Sequence, residues 1–367
     1  MTAENRKLRI GISCGDLNGI GHEVVIKCAM DQRLSELCTL ILYSSQKTAA
    51  AHRKALDIKD FSFNVITDVE KPHNKRPNLF DCWNEEAELT IGKPNTDLGK
   101  YALKSLQTAV ADLKDGKIDA LVTAPIDKNS IQSEEFDFPG HTEYLASEFE
   151  AQEHAMFMLS EPVKMTFMTG HVPLNKVSEQ LTFESIIKRI RFIDRELARD
   201  FTLPRPKIAV LGLNPHNGDD GVIGNEEKEL IAPAIRKAKD DGLLVFGPFS
   251  ADGFFGSGAF RQYDMVLAMY HDQGLIPFKT MNFERGVNFT SGLSHVRTSP
   301  DHGTAYDIAG QGKADPQSMR DAIYAACDIF RNRTEYNELK ENELVPQGDK
   351  PRGGRSERKP AAEAPKK

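Results

Sequence analysis

The run YDMVLAMYHDQGLIPFK, residues 263–279, is apolar from Met265 to Met269 and turns polar at Tyr270, His271 and Asp272. A short apolar run bounded by polar residues and Gly reads as a buried strand. This one would end by presenting an imidazole and a carboxylate. The pattern occurs twice more: VKMTFMTGH (163–171) ends in His171, and KIAVLGLNPH (207–216) ends in His216. Further strand-like runs are LRIGIS (8–13), TLILYSS (39–45), IDALVTAP (118–125) and LLVFGPF (243–249). Amphipathic stretches lie between them, among them LGKYALKSLQTAVADLKDG (98–116), with Gly116 as a helix stop, and LTFESIIKRIRFIDRELARD (181–200). Near-continuous apolar strands separated by helices mean an α/β fold, its sheet mainly parallel and covered on both faces.

Composition narrows the function classes. The chain has 367 residues, 40% hydrophobic and 28% charged, too long for one compact core. No apolar run reaches the roughly 18 residues of a membrane span, and the amino-terminal residues run into a strand with no apolar signal region. The expectation is a cytoplasmic protein with no membrane partner. Cys14, Cys28, Cys38, Cys82 and Cys327 are odd in number and form no CxxC pair, which argues for reduced thiols rather than disulfides or a cysteine metal site. A net charge of −7 gives no global footprint for nucleic acid. Residues 347–367, QGDKPRGGRSERKPAAEAPKK, depart from this with seven Lys/Arg against three Asp/Glu, and their composition predicts a disordered basic tail. A long polar loop is expected over 66–86 and a change of domain near residue 130.

Ligands of parallel α/β sheets bind at the carboxyl ends of the strands. His171, His216 and His271 are all delivered to that edge, and three imidazoles with a free position are the ligand set of a catalytic divalent metal. A histidine at a strand end also serves as a hydrogen-bonded loop residue, and spacing alone leaves both readings open. SCGDLNGIGHE (13–23) is a Gly-rich turn between strand and helix, open to two readings, an anion cradle or a tight βα turn. PGHTEYLA (139–146) resembles a helix start with His141, Thr142 and Glu143 in its first turn. GLNPHNGDDGVIGNEE (212–227) is too polar and turn-rich for core. The segment 279–304 supplies Lys279, Arg285, Asn288, Arg297, Asp301, His302 and Thr304, the mixture of charge and orienting groups that a phosphate requires.

GDLNGIGHE, VTAPIDK, FPGHTEYLA, GLNPHNGDDGVIGNEE, MYHDQGLIPFK and RTSPDHGTAYDIAGQGKADPQSM together resemble the family of 4-hydroxythreonine-4-phosphate dehydrogenases, in that family's order and over most of residues 8 to about 330. The resemblance implies a two-domain α/β/α fold like that of isocitrate and isopropylmalate dehydrogenases, without a Rossmann fingerprint. Residues 1–130 plus about 298–346 would form one domain, and 131–297 a second that carries the metal and substrate cleft. It implies a homodimer whose active site draws metal ligands from both subunits, NAD or NADP as cofactor, and one divalent ion (Zn, Co, Mg, Mn or Ni) per subunit. Carried over by motif, the metal ligands are His171, His216 and His271, and the substrate contacts are His141, Thr142, Lys279, Asn288 and Arg297. Asp272 and Asp252 are candidates for proton transfer, and no cofactor-binding residue is assigned.

The implied reaction is oxidation of 4-phosphooxy-L-threonine to the 3-oxo acid, which decarboxylates to 3-amino-2-oxopropyl phosphate in vitamin B6 synthesis. Rival readings are a dehydrogenase of threonate or erythronate 4-phosphate, a metal-dependent hydrolase, and a non-catalytic binding protein. The sequence departs from the family's GDPAGIGPE at Leu17, Asn18 and His22, and has Ser294–His295 where an apolar or Pro-containing pair is usual.

Overall fold

The computed structural model describes residues 6–342, so the basic tail lies outside the described residues. Among those residues, twelve strands form one sheet. In chain order they are β1 (Leu8–Ser13), β2 (Cys38–Ser44), β3 (Asn64–Ile66), β4 (Asn78–Asp81), β5 (Ala120–Thr123) and β6 (Ala155–Leu159). These are followed by β7 (Lys164–Thr169), β8 (Lys207–Leu211), β9 (Leu244–Phe249), β10 (Met265–Tyr270), β11 (Val287–Ser291) and β12 (Val296–Pro300). The sheet order is β3-β4-β2-β1-β5-β12-β11-β6-β7-β10-β8-β9. Both wings are parallel, as expected from the continuous apolar runs; all seven residues of β2 are buried. The centre differs: β12, β11, β6 and β7 pair antiparallel in succession. The sheet is therefore mixed, with its reversals at the middle.

Helices close the parallel crossovers, as parallel pairing requires. Gly99–Lys114 buries Tyr101, Leu106, Val110 and Leu113, and ends before Gly116, whose φ of 70° reverses the chain as expected. Phe183–Asp200 begins with a capping box between Thr182 and Ser185 and buries Ile186, Ile190, Ile193 and Leu197 along one stripe. Full burial of each such side chain contributes roughly 1.5–3 kcal/mol. Its last residue, Asp200, is fully buried and accepts from Arg333 Nε and Nη2, both at 2.9 Å. That ion pair ties it to the long helix Gln317–Glu341, which packs Met319, Ala322, Ile323 and Ala326 into the core.

Two polar segments, the first of them expected to be a loop, contain strands. Residues 66–86 hold β4, which pairs with β2 and β3. Residues 279–304 hold β11 and β12, in the middle of the sheet. The turn at 13–23 is no free anion cradle, because its donors are taken. Asp16 Oδ1 accepts from Asn18 N (2.9 Å) and Gly19 N (3.0 Å), and Ile20 N donates to the Thr304 carbonyl (2.9 Å).

Beneath that turn lies a consequence of His22. Its ring stacks on His52 with centroids 4.5 Å apart and planes 8° from parallel, and both residues are fully buried. His52 Nε2 bonds the Leu17 carbonyl at 2.7 Å, so it carries the proton; the Nδ1 atoms of both rings have no partner. Burial lowers the pKa of both rings, and His52 adds to the effect on His22. A folded pKa below the unfolded value of about 6.5 stabilises the fold above that pH, and the contribution is lost as pH falls below it. Burial lowers His141 and His302 in the same sense. Stability is therefore expected to fall between pH 7.5 and 5.5, by up to about 1.4 kcal/mol per buried imidazole, and the thermal midpoint with it. Part of the fall should vanish in His22→Asn; an identical fall would place the effect elsewhere.

Candidate active site

A cavity of ≈ 340 Å³ opens at the carboxyl ends of the central strands. Its walls come from the tip of β5 (Thr123), from β11 (Asn288) and β12 (Arg297, Ser299), and from the residues that follow β12 (Asp301, His302). The first turn of the helix His141–Glu148 adds His141, Thr142 and Glu143, and the helix His271–Asn282 adds His271, Leu275 and Lys279. His171, just past β7, and Lys128 complete the ring of functional groups. β10 pairs with β7 through Tyr270 and Thr169, which is why His271 and His171 meet.

Arg297 dominates the electrostatics. It is 2% exposed, and its guanidinium donates to Thr123 Oγ1 from Nε (3.1 Å) and to Thr290 Oγ1 from Nη1 (2.9 Å). Among the described residues no carboxylate pairs with it, and burial pulls its pKa down to about 9. A guanidinium bonded by hydroxyls alone, with Glu143 acting on it only through space, is a buried cation without a bonded counter-charge, a costly arrangement unless an anion arrives. Lys279 sits 3.3 Å from Asp301, whose carboxyl is pushed above its usual range by burial. His141 is held well below the usual imidazole range by burial, then by Arg297 and Lys128, so it is neutral; its Nε2 has no partner. His302 Nδ1 faces the Gly303 carbonyl at 3.1 Å and so carries its proton, leaving Nε2 as a bare acceptor without a partner. Asn288 Oδ1 is likewise unpartnered. Such unmatched polar atoms around one cavity are the signature of a site built for a polar ligand.

His171 and His271 stand with ring centroids 5.5 Å apart. Burial, then Lys128 and His271, lower the His171 pKa, which keeps that ring neutral and able to ligate. Asp272 Oδ1 lies 2.7 Å from His271 Nδ1, the arrangement that fixes a ligating imidazole and leaves Nε2 for a metal. The pair therefore fits a divalent metal with a taste for imidazole. No third His, Cys, Asp or Glu joins them into a set of three among the described residues.

His216 lies elsewhere, beyond the tip of β8. Five successive residues from His216 to Asp220 have φ between 46° and 76°, a left-handed turn in which only Gly218 is glycine. Each non-glycine residue there costs about 1–2 kcal/mol. The turn leaves His216 exposed, near Asp252. Asp252 and Asp272 line a separate surface depression with Phe255, Ile276 and Met281. Thus His141, Thr142, His171, His271, Lys279, Asn288 and Arg297 share one cavity, Asp272 reaches it only through His271, and His216 and Asp252 are outside it. Lys128 and Thr123 were missed by sequence reasoning; their place at the end of the strand-like IDALVTAP was the available signal. Asp301 and His302 were noted only as part of a polar segment.

Residues 36–326 match the family of the pyridoxal phosphate biosynthetic protein PdxA. The chain is 45% identical over 342 residues to the 4-hydroxythreonine-4-phosphate dehydrogenase of Bacteroides thetaiotaomicron, covering 93% of this chain and 94% of that protein. It is 39% identical over 328 residues to the enzyme of the same name from a Sulfurihydrogenibium species, covering 89% and 99%. A crystal structure of 4-hydroxythreonine-4-phosphate dehydrogenase from Klebsiella pneumoniae superposes with a TM-score of 0.75 at 33% identity, covering 88% of this chain and 99% of that one. With its motifs, its fold and nearly its whole length shared with these proteins, the chain belongs to the PdxA family.

Proposed function

We propose that the chain is a 4-hydroxythreonine-4-phosphate dehydrogenase, which oxidises C3 of 4-phosphooxy-L-threonine with a nicotinamide cofactor. Hydride leaves C3 for the cofactor, the C3 hydroxyl gives up its proton, and the resulting 3-oxo acid loses carbon dioxide to give 3-amino-2-oxopropyl phosphate. The observation that carries this reading is Arg297, a buried cation whose only partners are hydroxyls, in a cavity with two further cations, Lys128 and Lys279. A substrate with a phosphate and a carboxylate supplies the anion that the Arg297 guanidinium has no bonded partner for. Arg297 and Lys279 bind those anionic ends; Asn288 and Thr142 orient them; and neutral His141 adds a hydrogen bond without competing for their charge.

His171 and His271 would hold the divalent metal, with Asp272 orienting His271. Bound there, a metal ion acts as a Lewis acid that lowers the pKa of the C3 hydroxyl. The third ligand, on this reading, is His216 of a second copy of the chain. Exposed apolar side chains support a homodimer: Ile276 is 64% and Val222 82% exposed, and Ile276 lines the depression that holds Asp252 and Asp272. No helix among the described residues is long and apolar enough to cross a membrane.

The test is NADH formation by metal-loaded protein with 4-phosphooxy-L-threonine, run beside D-threonate and D-erythronate 4-phosphates. Turnover of the amino acid, abolished by a chelator and restored by added metal, is expected. Turnover of the sugar acids alone would reassign the substrate, and turnover without a nicotinamide cofactor would overturn the dehydrogenase reading.

A further inference from the structure

We infer that Glu227 is a positioning residue that sets His216 for metal binding from outside the cavity. The inference rests on the proposed role of His216 as third ligand. Glu227 is 4% exposed, and its carboxylate bonds no cation among the described residues. Its carboxylate is instead spent on the base of the left-handed turn: Oε1 accepts from Asn214 N at 2.6 Å and Oε2 from Asn214 Nδ2 at 3.0 Å. The turn lies directly against it. A Cβ on Gly218 would come within 2.7 Å of Glu227 Oε2 and 2.4 Å of the Gly224 carbonyl, so glycine is required there twice over, for space and for its φ of 76°. Glu227 also opens a single π turn, Glu227–Ile231, at the start of the helix that follows. Such turns recur at functional sites.

A second anchor grips the far side of the turn, where Asn217 Nδ2 donates to the Pro248 carbonyl at 3.0 Å. Left-handed backbone at His216, Asn217, Asp219 and Asp220 persists only where its surroundings over-determine it, and these two anchors do so. His216 is therefore presented outward on a turn that is rigid before any second copy docks. A surface loop with a freely rotating imidazole would lose that orientation, and with it affinity for the metal.

The test reads cobalt(II) affinity and its visible absorption in the full-length protein, independently of turnover. Glu227→Ala should weaken cobalt(II) binding roughly 10- to 100-fold, the usual effect of removing a residue that orients a ligand. Glu227→Gln, which keeps one acceptor oxygen for Asn214 N, should recover part of the loss. Asn217→Ala, which releases the other anchor, should weaken binding in the same direction and serves if Glu227→Ala does not fold. Parent-like affinity and spectrum in Glu227→Ala and Asn217→Ala, with affinity lost in His216→Ala, would overturn the inference and leave the ligand reading standing. Parent-like binding in His216→Ala would remove the ligand reading itself, and the inference with it.

Discussion

Arg297→Met is expected to lower kcat/KM for the phosphorylated substrate by roughly 30- to 5,000-fold, equivalent to about 2–5 kcal/mol for a buried charge that loses its partner. Arg297 is fully enclosed and bonds only Thr123 and Thr290, so no carboxylate bonds its charge until an anion enters. Arg297→Lys should recover little. A lysine keeps the charge but cannot hold both hydroxyls and fork onto an anion at once. The ligand-free protein should behave in the opposite sense. Removing an uncompensated buried cation is expected to raise its thermal midpoint, the trade of stability for activity that binding sites show. Steady-state kinetics and thermal unfolding of the same variant give both readings. An unchanged kcat/KM, or a lowered midpoint, would mean that Arg297 is a structural residue.

Asp200→Ala should have the largest effect on stability, a loss of about 3–5 kcal/mol in urea unfolding. Its carboxylate accepts two bonds from Arg333 and two from Arg199, at 2.8 to 3.0 Å. Truncation leaves Arg333, 8% exposed, as a charge in the core between the helix Phe183–Asp200 and the helix Gln317–Glu341. Removing both charges should cost less: Asp200→Leu combined with Arg333→Met is expected to lie nearer the parent than Asp200→Ala does, because apolar pairs replace buried ion pairs at little cost. A loss below about 1 kcal/mol in Asp200→Ala would show that the pair is solvated, as exposed pairs are.

Apolar runs such as TLILYSS and MVLAMY announced β2 and β10 because burial on both faces demands continuous apolar sequence. β12 is buried at all five positions yet reads VRTSP, and β11 reads VNFTS. Their polarity is that of the cavity: Arg297 and Asn288 interrupt the strand signal for the sake of binding, so no strand was expected in 279–304. The same residues were legible as ligand groups for the reason that hid the strands. β4, at four residues, was too short to stand out from its polar flanks. Strand-end histidines located the edge of the sheet where the site lies, but they did not locate His216. The left-handed turn from His216 to Asp220 depends on the Glu227 carboxylate and on the Pro248 carbonyl, contacts that spacing does not encode.

The antiparallel centre of the sheet has a topological meaning for the site. β5 and β12 pair in parallel, although 172 residues, 124–295, lie between them in sequence. That whole excursion leaves and returns by neighbouring strands, with Val296 opposite Ala120 and Thr298 opposite Val122. In effect residues 124–295 are a guest inserted between two neighbouring strands of the sheet. The host strands supply Thr123 and the buried guanidinium of Arg297; the guest supplies every imidazole from His141 to His271, together with Lys279 and Asn288. The buried cation belongs to the host, while the imidazoles and two further cations, Lys128 and Lys279, belong to the guest. Neither half severed from its fellow would keep a working pocket, so the seam between β11 and β12 is where the two sets of chemistry are joined.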